Sequence, residues 1–381
     1  MGQQTTSLTA LGLAAASGRD PQITGITVDS REVKDRMLFA ALPGATVHGG
    51  EFIQYALRMG AAAILTDAKG AQIAATELAA SDAAVIVAQD PRQTLAQTAS
   101  LWFGAHPATV VAVTGTNGKT SVSTFARQIW EEMGIAGVML CSPGVVGAVS
   151  HPPPLTPPDP FTFTCRPSLP ASEARPTPHL EASSHGLDQR RLDGVVLAAA
   201  AFTNFTQDHL DYHETFDAYF DAKMGLFTRV LADDGVAVVN LDAPKGPEVA
   251  SRCIARGQEI IGVGRHPDAR LQLTGQRYDA TGQDLLFTWQ GKAHQTRLNL
   301  IGGFQADNVL LAAALVIAAG ADADAVFETL PHLTTVRGRM ELAATRDNGA
   351  AVFVAYAHTP GALAPPVWAC RPRVRGPSPP G

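Results

Sequence analysis

The segment Thr114-Gly-Thr-Asn-Gly-Lys-Thr-Ser121 carries the residue types that cradle a nucleoside triphosphate. Gly115 and Gly118 let backbone amides approach phosphate oxygens, and a helix starting behind them adds positive potential. Lys119 is placed to neutralise the β- and γ-phosphates, and the Thr120 hydroxyl to hold magnesium. The common phosphate-loop pattern is not met in full, because Val113 stands where its first glycine belongs. A Gly-rich turn that merely joins strand to helix is the competing reading. Three more constellations follow along the chain. Glu181-Ala-Ser-Ser-His-Gly186 offers a carboxylate that is either a hard-cation ligand or an ordinary capping acid. In Thr203-Asn-Phe-Thr-Gln-Asp-His209-Leu-Asp-Tyr-His213, a neutral His209 can coordinate a metal or touch phosphate; alternatively this is a solvated polar turn. Lys223 lies three residues after Phe220 and four before Phe227, on the side of an apolar stripe that starts at Phe216. A lysine aimed inward there would do charge work. The other reading is an aliphatic stem that snorkels to solvent.

Strand and helix patterns place these groups. A β-branched strand over 109–113 feeds the loop, and a helix from Ser121 to Met133 follows, stopped by Gly134. Strand-like 195–201, helical 216–231, strand-like 236–240 and helical 306–319 continue the alternation, and 351–355 opens a further strand. Ahead of the loop, strands at 23–29, 37–42, 61–65 and 84–88 alternate with helices at 51–59 and 92–103. Such alternation predicts α/β units with largely parallel sheets covered on both faces. Leu8–Ala16 predicts a short first helix, since no Lys or Arg precedes it as a signal peptide requires.

The 381 residues exceed one ordinary core, and 46% hydrophobic with 17% charged residues fits a globular chain. A net charge of −6 and 6% aromatic residues give no basic or stacking footprint for nucleic acid. No apolar run approaches the ~20 residues of a membrane span. The four cysteines, Cys141, Cys165, Cys253 and Cys370, form no metal or disulfide pattern, so a soluble cytoplasmic protein is expected.

Taken in order, the phosphate loop, Glu-x-Ser-Ser-His-Gly, Asp-His-Leu-Asp-Tyr-His and the buried-stripe lysine resemble the Mur ligase family. Thr27-Val-Asp-Ser-Arg31, Gly302-Gly-Phe-Gln-Ala-Asp-Asn308, Gly338-Arg-Met-Glu341 and Tyr356-Ala-His-Thr-Pro360 add to the likeness, which covers about 24–140 and 179–363. It is strongest to the branch that adds the third amino acid of the peptidoglycan stem peptide. The resemblance implies a three-domain architecture: a UDP-substrate domain over 1–105, a central ATP-binding domain with a P-loop-type parallel sheet over 106–335, and a third domain truncated to its first strand within 336–381. It implies that Gly115, Thr116, Asn117, Gly118, Lys119, Thr120 and Ser121 hold ATP, joined by Asn308, Arg339 and His358. Thr120, Glu181 and His209 would bind Mg²⁺, and Lys223 would be carbamylated to N6-carboxylysine. Val28, Ser30, Ala45, Thr46 and Val47 would meet the UDP part of a UDP-N-acetylmuramoyl dipeptide. Thr156, Ser183, Gln189 and Arg191 would hold its sugar–peptide part. The implied catalytic set is Lys119, Lys223, Glu181 and His209, acting in a monomer with no nucleic-acid or membrane partner. The amino acid implied is meso-diaminopimelate, with L-lysine as the alternative.

Departures from the family pattern qualify this. Residues 141–178 hold eleven of the chain's 26 prolines, and 361–381 hold six more. Proline removes backbone donors, so neither stretch is expected to supply regular core elements, and Pro176 and Pro178 threaten the strand ahead of Glu181. Frame errors over 141–178 and 364–381 would explain the abrupt composition. Pro157 follows Thr156 where the family has threonine, and Ala355 replaces an aspartate. With a curtailed third domain the chain is expected to bind nucleotide and turn over poorly. The alternatives are a sister amide ligase, such as another Mur ligase or a folylpolyglutamate synthase, and a non-catalytic nucleotide-binding protein.

Overall fold

A computed structural model describes residues 5–44, 46–104, 109–141, 144–147, 177–208, 212–279, 281–348 and 351–357, with Leu363 and Val367. Its described residues fall into two compact units: one holds those up to 104 with Gln189–Val195, the other those from 109 to 188 and from Val196 onward.

In the smaller unit, strands Ile26–Thr27, Leu38–Ala41, Ala63–Thr66 and Ala84–Val87 form one four-stranded parallel sheet in that order. The two central strands are buried at every position, as strands covered on both faces must be. Helix Pro91–Phe103 starts with proline at its first turn and with Asp90 accepting from the Gln93 amide, then buries Leu95, Ala99 and Trp102. The expected first helix is a single 3-10 turn, Thr9–Leu11, whose neighbours Leu8 and Leu13 enter the same core. Helices Ala68–Ile73 and Ala75–Ala79 lacked a clear apolar period in sequence. Asp67, which accepts from the Gly70 amide, is what starts the first of them.

The larger unit is built on a ten-stranded sheet. Its middle runs Glu259–Gly264, Leu231–Asn240, Leu197–Phe202, Val111–Thr114, Thr177–Glu181, Gly137–Cys141, all parallel. Val111, Val113, Ala199 and Ala201 pack in one core with Phe125, Ile129 and Leu310, while the alternate residues Ala112 and Ala200 are buried too. Helix Phe304–Ala318 is buried along nearly its whole length, in keeping with a sequence apolar all round. Three antiparallel strands, Leu271–Tyr278, Gln283–Trp289 and Lys292–Leu298, extend one edge. A separate antiparallel pair, Arg339–Thr345 with Ala351–Ala355, stands where a single strand was expected.

Two expectations are corrected. Pro178 lies inside a central strand and pairs in register with Val138. The ladder to Val111–Thr114 covers only His179 to Glu181, so the missing proline amide falls beyond the end of that pairing. Glu181 is therefore held in register with Val113 despite the prolines. Further on, the long helix expected over 216–231 is three pieces. An α-helix, Phe216–Gly225, capped by Thr215 onto the Ala218 amide, passes into a π-turn, Leu226–Val230, and then directly into strand. Phe216 is exposed, and Tyr219 takes its place in the buried stripe with Phe220 and Phe227.

Strand Thr177–Glu181 also carries His179, only 1% exposed and packed edge-on against Trp130 at 4.2 Å. Neither ring nitrogen has a partner among the described residues. Burial, then the nearby Arg127 charge, hold its pKa down at about 3. The folded state therefore keeps a neutral ring where the unfolded chain takes a proton below about pH 6.5. Stability should be unaffected by this group above that pH and fall progressively between about pH 6.5 and 3, by up to about 4–5 kcal/mol. His179→Leu should flatten that limb and raise stability at neutral pH, since unpaired buried polar atoms cost about 1–3 kcal/mol. Urea titrations of both proteins at pH 7.5 and 5 read the difference, and equal slopes with pH would contradict it.

Candidate functional site

The phosphate loop leaves the sheet at Thr114, whose buried hydroxyl donates to the Ala182 carbonyl at 2.8 Å. That bond ties the loop to the residue after Glu181. Gly115 has φ +146° and Gly118 φ +88°, and Gly118 stands at the N-terminal cap of helix Lys119–Glu132. A Cβ on Gly115 would come within 1.9 Å of Thr203 Oγ1, and one on Gly118 within 2.7 Å of Asn308 Oδ1. Only glycine fits either place. Gly115→Ala should cost about 1–3 kcal/mol of stability and lose nucleotide binding. A melting curve with a nucleotide titration checks it, and unchanged binding would contradict the role of the loop.

The loop is braced by a second strand end. The Thr116 amide donates to Asn204 O at 2.9 Å, the Asn117 amide to Asn204 Oδ1 at 2.9 Å, and the Thr203 hydroxyl to Asn117 O at 2.5 Å. The Thr116 hydroxyl accepts from the Thr206 amide and lies 3.2 Å from the Tyr219 hydroxyl. Thr203, Asn204 and Thr206 belong to the stretch flagged for His209, yet their bracing role went unread because hydroxyl and amide contacts leave no periodicity in sequence.

Cations and one carboxylate converge here. Lys119 Nζ donates to the Gly115 and Thr116 carbonyls at 2.9 and 2.8 Å, and Lys223 Nζ to Gly115 O at 2.8 Å. Lys223 is 1% exposed and sits 4.4 Å from the Tyr219 ring centre, so it does not snorkel. Burial, reinforced by the Lys119 charge and opposed by Asp208, drives its pKa well below the ordinary lysine value. Burial also lowers Lys119, against the pull of Glu181 and Asp208. Glu181 is raised by burial and drawn back by Lys119. Its Oε2 accepts from the Thr120 hydroxyl at 3.3 Å, and Arg339 Nη2 reaches the same hydroxyl at 3.4 Å.

Glu181 Oε1 is buried and without a partner among the described residues. An orphaned carboxylate oxygen beside a threonine hydroxyl is a donor set suited to Mg²⁺, which binds through one or two protein groups and keeps phosphate and water. Among the described residues no group of three or more His, Cys, Asp or Glu gathers to hold a metal by itself. His209, Ala45, Thr156 and His358 lie outside the described residues.

A cleft of about 250 Å³ opens beside the loop, lined in part by Asn117, Gly118, Ser121, Asn308 and Arg339. Arg339 donates to Tyr356 O at 2.9 Å. Phe304 and Asp307, from the Gly302–Asn308 motif, also line the cleft, as does Asn240, which sequence reasoning had not singled out.

In the smaller unit, Val28 and Ser30 follow the carboxyl end of strand Ile26–Thr27 and Thr46 and Val47 that of the adjacent strand Leu38–Ala41, the edge where parallel sheets bind ligands. Asp29 accepts from the Arg31 amide and shapes the turn at Ser30. The second loop is closed by the Gly49 amide on Leu42 O at 2.8 Å. Val47 is 52% exposed. Gln189 and Arg191, hydrogen-bonded to each other, also belong to this unit, whereas Ser183 belongs to the larger one, its hydroxyl accepting from the Gly186 amide.

Comparison with known proteins bears on both units. Residues 113–316 match the Mur ligase middle domain, and residues 22–102 match the Mur ligase family catalytic domain. A protein of Caulobacter vibrioides named UDP-N-acetylmuramoyl-L-alanyl-D-glutamate--2,6-diaminopimelate ligase is 42% identical over 364 residues, 94% of this chain and 73% of its own. One of the same name from Zymomonas mobilis is 40% identical over 362 residues, covering 94% and 72%. A solved structure of a ligase so named superposes with a TM-score of 0.81 at 26% identity, covering 97% of this chain and 74% of that one. Among the described residues no helix is long and apolar enough to cross a membrane.

Proposed function

The chain belongs to the Mur ligase family of ATP-dependent ligases, and from that premise we propose that it joins 2,6-diaminopimelate, as the meso isomer, to UDP-N-acetylmuramoyl-L-alanyl-D-glutamate. The reading places it in peptidoglycan precursor synthesis, as a cytoplasmic monomer. The observation that carries it is the convergence of Lys119, Lys223, Glu181 and Thr120 on one glycine loop, beside an open cleft.

The γ-phosphoryl group of ATP passes to the D-glutamyl side-chain carboxylate, giving an acyl phosphate. The amine of diaminopimelate attacks that carbonyl, an amide forms, and inorganic phosphate leaves. Two anions must approach in the first step, so the chief need is fixed positive charge and exact placement. Lys119 meets the β- and γ-phosphates by exchanging its loop carbonyls for phosphate oxygens. The amides of the glycine loop and the start of helix Lys119–Glu132 take the others. Arg339, anchored on Tyr356 and close to the Thr120 hydroxyl, holds the nucleotide beside the loop. Thr120 and Glu181, with His209, would hold Mg²⁺, which when bound offsets phosphate charge.

Lys223 supports a covalent modification. Its burial favours the neutral amine, which can add to carbon dioxide and lose a proton, turning a cation into an anionic N6-carboxylysine. Substrate is held at the strand ends carrying Val28, Ser30, Thr46 and Val47, and by Ser183, Gln189 and Arg191.

Hydroxylamine trapping tests the first step without the amino acid. With ATP and UDP-N-acetylmuramoyl-L-alanyl-D-glutamate the protein should yield the D-glutamyl hydroxamate together with ADP. ADP without hydroxamate would contradict the acyl phosphate.

A further inference from the structure

We infer that His48 is a positioning residue for the UDP part of the substrate: clasped onto Asp67, it sets the loop that carries Thr46 and Val47 before any ligand arrives. The inference rests on the reading of that loop as the UDP contact and adds what fixes it. The loop leaves strand Leu38–Ala41 and returns at Gly49, where the Gly49 amide donates to Leu42 O at 2.8 Å and closes its neck. The outgoing leg is pinned where Arg92 donates to Pro43 O. A Cβ on Gly44 would stand 2.2 Å from Val47 O, so the two legs lie against each other. Thr46 and Val47 are exposed beyond them.

The returning leg depends on one side chain. His48 Nδ1 accepts from the Gly50 amide at 2.9 Å, so the neutral ring carries its proton on Nε2. That nitrogen faces Asp67, 3.1 Å from Oδ1 and 3.3 Å from Oδ2. Asp67 follows the neighbouring strand Ala63–Thr66 and is itself set by accepting from the Gly70 amide at 2.7 Å. The ring fits closely between two turns. A Cβ on Gly70 would stand 2.7 Å from His48 Cε1, and one on Gly50 would stand 2.9 Å from the Gly70 Cα. The His48 side chain is only 9% exposed. A hydrogen bond to an ionised carboxylate is stronger than one between neutral groups, and here it ties the loop to the end of the next strand. Without that tie the loop must be ordered as ligand binds, and the cost of ordering is subtracted from affinity.

The test is calorimetric titration of the whole chain with UDP, with UDP-N-acetylmuramoyl-L-alanyl-D-glutamate and with Mg·ADP. His48→Asn keeps an acceptor for the Gly50 amide but is too short to reach Asp67. Asp67→Ser keeps a helix-capping oxygen but is too short to reach His48. Each should weaken UDP and the whole substrate by about tenfold and leave Mg·ADP as in wild type. The double variant should be no weaker than either single one, since both remove the same bond. His48→Gln, whose amide nitrogen can still donate to Asp67, should recover most of the affinity. In hydroxamate trapping, His48→Asn should raise KM for the UDP substrate more than it lowers kcat. Wild-type UDP affinity in His48→Asn and Asp67→Ser would overturn the clasp alone. So would an equal loss of Mg·ADP affinity, which marks general damage to the fold, or additive losses in the double variant. Failure of wild type to bind UDP or the whole substrate would overturn the reading of the loop and this inference with it.

Discussion

Replacing Lys119 with alanine is expected to lower turnover by about 10²–10³-fold and to remove most of the affinity for Mg·ADP. Lys119 Nζ rests on two carbonyls of its own loop, at 2.9 and 2.8 Å, where β- and γ-phosphates would replace them. The loss reaches beyond one contact. Lys119 is the main charge restraining the burial-raised pKa of Glu181. Without it Glu181 protonates more readily, so cation binding weakens as well. Arg339 cannot substitute, because its guanidinium is committed to Tyr356 O and to the Thr120 hydroxyl. Lys119→Arg should fare little better, since a planar fork does not repeat a point charge on a short reach. Calorimetry with Mg·ADP decides: wild-type affinity in the alanine variant would refute the phosphate-loop assignment.

The second large effect is at Lys223. Lys223→Met keeps the buried volume and removes the amine, so turnover should fall by about 10²-fold or more while Mg·ADP binds nearly as in wild type. That split separates a group used in chemistry from one used in nucleotide binding. Incubating wild type with ¹³C-bicarbonate should give a carbamate resonance that the methionine variant lacks. Because the pKa of Lys223 is pushed down by burial and by Lys119, carbamylation should already occur near neutral pH, where an exposed lysine stays protonated. A wild-type spectrum without the resonance, in an active preparation, would show that the amine works unmodified.

Much of this site was legible in sequence because its residues are contiguous. The run from Gly115 to Ser121 names its own geometry, whereas the spacing of Phe220, Lys223 and Phe227 put the lysine on the buried side but left snorkelling open, and it is buried. Long-range register was harder to see. Prolines argued against a strand before Glu181, yet Pro178 sits where the pairing to Val111–Thr114 has already ended. The three-stranded edge over 271–298 was missed because the buried Gln283 and the exposed Leu286 break the alternation that a half-solvated strand otherwise shows. Helix Phe304–Ala318 was legible, being a long apolar run closed by Gly320. The bracing of the loop by Thr203 and Asn204 is a tertiary hydrogen-bond pattern with no local signature.

Mass spectrometry of the nucleotide product tests the central claim most directly. The purified chain, incubated with ATP, Mg²⁺, UDP-N-acetylmuramoyl-L-alanyl-D-glutamate and meso-diaminopimelate, should convert the substrate slowly to a species heavier by one diaminopimelate less one water. L-lysine in its place should give little product. Consumption of ATP with no mass gain, or an equal gain with L-lysine, would contradict the account.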